Sequence, residues 1–124
     1  LHLSIRRQRQ MCIRDRLLPL LNQQQQVNQA GDVVARYLAA HGDKERLLAM
    51  LGKALLREDR DFHTIQMVEA AFRQHALLRG TPQADQVLIA AARYLAAHAP
   101  TMREQEQTFH MAERLHRGEK LYEE

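Results

Sequence analysis

Apolar residues recur at intervals of three and four along nearly the whole chain. No stretch alternates apolar with polar residues for long enough to make a convincing strand. That pattern builds helices, and it is punctuated. Gly42-Asp43 and Gly80-Thr81-Pro82 each join a residue that ends a helix to one that caps or starts the next, while Ala99-Pro100 and Gly118 act as stops. From Pro19, suited to a first turn, residues 20–41 place Leu20, Val27, Val34 and Leu38 at helical spacing, with a weak point at Gly31 where Asp32 can cap a second helix. The run Gln23-Gln24-Gln25-Gln26 is read as a solvated face of that helix, because Gln is a good helix former. Leu47, Leu48, Leu51, Ala54 and Leu55 make the next stripe, up to about Arg57. After a charged hinge, Asp59 or Asp61 caps a helix in which Phe62, Ile65, Val68, Glu69, Phe72 and Ala76 recur as far as Leu78. Thr81 as N-cap and Pro82 then open a helix with the face Val87, Leu88, Ala91, Tyr94 and Leu95. Thr101-Met102-Arg103-Glu104 has the form of a capping box, and Phe109, Ala112 and Leu115 carry the last helix to Arg117. The expected fold is all-α: about five helices in an irregular or pseudo-repeated bundle, preceded by an extended or disordered N-terminus.

The chain contains an internal echo. Ala35-Arg36-Tyr37-Leu38-Ala39-Ala40-His41 recurs residue for residue as Ala92-Arg93-Tyr94-Leu95-Ala96-Ala97-His98. Duplication of a helical hairpin gives this pattern, and so does coincidence in a chain rich in Ala and Leu; duplication is the favoured reading. The spacing exceeds that of the common helical repeats, so a solenoid is not expected.

Charge and cysteine content depend on the first sixteen residues. The 124-residue chain carries 18 Lys and Arg against 15 Asp and Glu, a formal charge of +3 with a pI near 9.4. Taken whole, that balance points to nucleic acid or an anionic surface. Residues 1–16 hold five Arg and one Asp, however, which leaves 13 basic and 14 acidic side chains in residues 17–124. The run Arg6-Arg7-Gln8-Arg9-Gln10-Met11-Cys12-Ile13-Arg14-Asp15 resembles, without a mismatch, one reading frame of a transposase-based sequencing adapter, and Leu1-His2 fits the end of its flanking primer. The resemblance implies a non-native segment over 1–16. It also implies a helical domain over 17–124 that is the C-terminal fragment of a longer protein, with the missing N-terminal part as its partner.

A basic nucleic-acid arm and a signal peptide are the rival readings of the same residues. The second fails because the apolar run stops at Leu21, ahead of the four Gln. Setting 1–16 aside removes the charge argument for nucleic acid. It also removes Cys12, the single cysteine, and with it any disulfide, thiolate nucleophile or Cys-ligated metal. No apolar stretch approaches the ~18 residues that span a bilayer. A soluble, cytoplasmic chain with neither nucleic acid nor membrane as partner is the expectation.

Histidine is the enriched functional type: His41, His63, His75, His98, His110 and His116. Glu113-Arg114-Leu115-His116 has the E-x-x-H ligand spacing of di-iron carboxylate bundles, which need two such motifs and two further Glu; this chain has one. Asp59 and His63, one helical turn apart, are the best additional donors. Glu69 stands out because the stripe Phe62, Ile65, Phe72 and Ala76 turns it inward, and a buried carboxylate needs a partner such as Arg73. The candidate metal ligands are therefore His63, Glu69, His110, Glu113 and His116, with no catalytic or cofactor-binding residue assigned and the cofactor itself left open.

Each candidate has a plainer structural reading. His41 and His98 fall in a last turn, facing exposed carbonyls. Glu106 and His110 make a surface pair, and Glu69 with Arg73 a structural one. Met50, Met67, Met102 and Met111 read as core filler. Residues 17–124 contain no Ser, no Gly-rich phosphate loop and no short turn followed by a basic recognition helix.

The block from Leu55-Leu56-Arg57-Glu58-Asp59 through Phe62-His63 to Gln66–Gln74, with Leu115-His116-Arg117-Gly118-Glu119, resembles a C-terminal helical region of a group of bacterial proteins, some of them of the Rieske-type iron–sulfur class. The resemblance spans most of residues 17–124 and implies a redox context. A Rieske centre needs two Cys and two His, so no ligand carries over onto a stretch without Cys, and any cluster would belong elsewhere. Two functions follow. In one, the chain is a helical structural or interaction segment of a larger soluble bacterial protein, with no complete active site of its own. In the other, it contributes Glu and His side chains to a metal or iron–sulfur redox site completed by the missing part. Convergence of His63, Glu69, His110 and His116 would favour the second; separate solvated faces would count against it.

Overall fold

The structure, a computed structural model, describes residues 13–120. Among them are six helices and no strand: α1 over residues 13–20, α2 (Val27–Ala39), α3 (Lys44–Arg57), α4 (Phe62–Leu77), α5 (Pro82–Ala97) and α6 (Glu104–His116). The all-α bundle stands, with six helices where about five were expected.

The additional helix corrects the reading of the N-terminal segment. Residues 13–16, expected to be extended or disordered, are helical, because Ile13, Leu17 and Leu21 form a stripe at four-residue steps that enters the core. Residues 1–12 of the adapter-like stretch lie outside the described residues. Pro19 sits in the last turn of α1, not in the first turn of α2. The Gln run is the α1–α2 turn and not a helix face, with Gln25 in the left-handed region at φ 64°.

Helix α5 is the central element, with α2 and α4 as its main neighbours; α3 packs on α4 and α5, and α6 reaches α3. The buried face of α5 alternates Leu88 and Leu95 with Ala84, Ala91, Ala92 and Ala96, and small side chains let neighbouring backbones come close. Gly31 serves the same end. It does not break α2; it is buried against α5, where a Cβ would lie 3.0 Å from Arg93 Cγ. Arg93 then extends over α2 to donate to Asn28 Oδ1 at 2.9 Å.

The two copies of the repeated heptapeptide form the C-terminal ends of α2 and α5, two helices packed against each other. Their environments differ. Tyr37 is buried, its ring covers Gly42, and its hydroxyl donates to the Asp43 carbonyl at 2.8 Å. Burial and the nearby Asp43 carboxylate push that phenol above its ordinary pKa. Tyr94 is half-buried and lies against the His98 ring at 4.5 Å. His41 follows α2 with φ 57°, whereas His98 caps α5 at φ −112°.

Helix ends follow local chemistry in most places. Asp43 accepts from the N–H groups of Glu45 and Arg46, and Asp61 accepts from Thr64 N at 2.7 Å. Gly80 and Gly118 take the left-handed conformation at φ 86° and 80°. Pro82 takes the first turn of α5 as expected, but the Thr81 hydroxyl turns back to the Leu78 carbonyl. Thr101 does not open α6, whose N-cap is Arg103 at φ 55° with no side-chain cap bond.

Candidate functional site

The nominated ligands occupy separate solvated positions, apart from those that share α6. His63 is exposed in the first turn of α4, edge-on to Phe62. Glu69 is exposed and pairs with Arg73 one turn on. The inward turn expected for it fails because the buried line of α4 runs through Thr64, Val68, Ala71 and His75, while Phe62 and Ile65 face solvent. On α6, the His110 ring lies 3.8 Å from Glu106 and 3.7 Å from Glu113, all three exposed or half-exposed; His116 is exposed. Asp59 is engaged elsewhere, accepting from Gln105 N at 2.8 Å. Among the described residues, no group of three or more His, Cys, Asp or Glu is placed to hold a metal ion.

A different carboxylate holds the buried position. Glu58, at the end of α3, is 5% exposed. Its Oε2 accepts from Thr101 N at 2.9 Å and from the Thr101 hydroxyl at 2.8 Å. Its Oε1 accepts from Arg103 Nε at 3.0 Å and Nη2 at 2.8 Å. Both oxygens are therefore saturated by charge-assisted or backbone donors, as a buried carboxylate requires. Burial opposes the charged form, but the bonds from Arg103 and Thr101 outweigh it and hold the carboxyl below its ordinary range. Arg57 is held below its usual value by burial and by the neighbouring Arg103; its Nε is buried without a hydrogen-bond partner, 3.7 Å from Glu58 Oε1.

This cluster joins three connecting segments. Arg103 Nη2 also donates to Asn22 Oδ1 at 2.8 Å and to the Leu21 carbonyl at 3.3 Å, after α1. The Thr101 hydroxyl oxygen accepts from Asp59 N at 2.8 Å, and Gln105 Oε1 accepts from Arg60 N at 3.2 Å. The Glu58 oxygens, the Thr101 hydroxyl and Arg103 Nε and Nη2 are committed to protein, so the cluster is a structural knot that positions α6.

The helix it positions is bare. None of its residues is buried, and Glu106 alone is half-buried. Phe109, Met111 and Leu115 are 64%, 45% and 56% exposed. Leu56, Phe62, Ile65 and Met102, on the segments tied to the start of α6, are exposed too. Exposed large apolar side chains gathered on one element are candidates for an interaction face. Elsewhere a shallow groove of about 360 Å³ is lined by Arg16, Leu20, Gln29, Asp32, Val33 and Arg36, none of them buried. No described helix is long and apolar enough to cross a membrane. Compared with protein-family models, curated proteins and solved structures, the chain matches none.

Proposed function

We propose that this chain is a helical structural or interaction segment whose working surface is the apolar stripe of α6 that runs through Phe109, Ala112 and Leu115, with Met111 beside Leu115. The observation that carries the reading is that α6 buries none of its own residues yet presents Phe109, Met111 and Leu115 to solvent. Such a stripe gains free energy when a partner covers it. The test is the triple variant Phe109→Gln, Met111→Gln, Leu115→Gln in dilute solution. Its thermal midpoint is expected to stay within about 3 °C of wild type while binding of an apolar fluorescent dye falls. A loss of roughly 10 °C, about 2 kcal/mol for a domain of this size, would make the stripe part of the folding core and end the proposal.

A metal-site reading draws on one feature, the His110 ring between Glu106 and Glu113. Calorimetric titration with Zn²⁺ separates the two: heat that His110→Ala abolishes supports a metal site, and its absence leaves the interaction reading.

A further inference from the structure

We infer that residues 100–118 form a hinged arm: a polar latch between residues 58–60 and residues 101–105 releases α6 as a unit while the rest of the bundle stays folded. This holds whether or not a partner covers the α6 stripe, because it concerns only how the helix is held. Three observations carry it. First, among the described residues, every hydrogen bond that ties the arm to the body falls on Thr101, Arg103 or Gln105. Thr101 and Arg103 donate to Glu58, the Thr101 hydroxyl accepts from Asp59 N, and Arg103 reaches Leu21 and Asn22. Gln105 N donates to Asp59 Oδ1 at 2.8 Å, and its side chain accepts from Arg60 N and donates to the Arg60 carbonyl.

Second, nothing beyond the latch holds the helix. From Gln107 to Lys120 each residue is exposed, and the hydrogen bonds and ion pairs of Thr108, His110, Arg114 and Arg117 all stay within residues 104–120. Third, the core stops at a definite point. Ala99 is buried with the core and Pro100 is half-buried, whereas Met102 is exposed and Arg103 turns the chain at φ 55°. Because α6 buries none of its own residues, opening the arm trades latch bonds for bonds to water and uncovers little apolar surface. An opening of that kind lies below global unfolding and responds weakly to denaturant, whose effect scales with the surface exposed.

The backbone N–H groups of Asp59, Arg60, Thr101 and Gln105 all donate across the latch, so their hydrogen exchange reports its opening. Native-state exchange of the full wild-type chain at low urea concentrations is the test. The four are expected to exchange as a set, with protection at least about tenfold below that of Ala91 and Leu95 in α5 and with a smaller urea slope. Protection and slope equal to those of α5, or no protection at all, overturns the inference. Glu58→Gln should lower the protection of the four by at least about tenfold, the weight of a charge-assisted bond, and a change under about twofold overturns it too. A second measurement follows the arm itself. In a Cys12→Ser background, spin labels on Thr108→Cys and Ala90→Cys, both at exposed positions, should give a narrow distance distribution that Glu58→Gln broadens with helix content unchanged. A distribution that stays narrow, or that broadens only as helix content is lost, overturns the hinged arm.

Discussion

Glu58 and Glu69 are both glutamates on helical segments with an arginine in reach, and they have opposite fates. The Glu58 side chain is 7% exposed and holds Arg103, whereas that of Glu69 is 55% exposed and pairs with Arg73 on its own helix. A carboxylate survives burial where donors from several segments arrive together, and Thr101 and Arg103 arrive at Glu58 from more than forty residues away. A partner one turn along the same helix needs no burial and supplies little stability. The difference lies in what the loops bring, not in the residue.

The largest expected effect comes from Glu58→Ala, which leaves the Thr101 donors and the Arg103 guanidinium without their acceptor. Removing one member of a buried pair costs about 3 kcal/mol, and urea unfolding would read it directly. A loss under about 1 kcal/mol would mean that solvent replaces the carboxylate, and the contrast with Glu69 would disappear.

Next comes pH. The Glu58 pKa is depressed in the fold, so its contribution is complete above the ordinary glutamate value of about 4.3 and is lost as pH falls through the lower folded value. Asp61, lowered by its bonds from Thr64, contributes with the same sign in its own acidic window. Thermal midpoints measured between about pH 2.5 and 7 should therefore fall more steeply for wild type than for Glu58→Gln, which retains the Asp61 part. Parallel curves would remove Glu58 from the account.

The smallest effect belongs to Glu69→Ala. The exposed pair with Arg73 predicts a change of about 0.5 kcal/mol or less in the same urea experiment. A loss comparable to that of Glu58→Ala would show Glu69 to be the buried carboxylate after all.

These contrasts explain what was legible in the sequence. Helices α3, α4 and α5 were readable because Asp43, Asp61, Pro82 and Gly80 act within one turn of the elements they bound. The start of α6 was misread because Thr101 has two possible employments, a local cap and a distant carboxylate, and the choice is made by Glu58. Gly31 looked like a break because its use, close approach to α5, belongs to another helix. The stripes of Phe62 with Ile65 and of Phe109 with Leu115 were real, but a stripe records that a face is apolar and not what covers it. Among the proposed ligands, Glu69 is placed inward by phase alone; His110 and Glu113 come within 3.7 Å through helical spacing, which says nothing of further donors.

The Arg103 guanidinium bridges to Leu21 and Asn22, residues some eighty positions earlier in the chain. Contacts of that span close a long loop, and their entropy must be met before they return anything, so they are expected to form after the helices have docked. Glu58→Ala should then raise the unfolding rate while leaving the folding rate nearly unchanged, a pattern that stopped-flow kinetics across urea concentration would display. The arginine at the entry to α6 sets how long the folded state lasts more than how quickly it is reached.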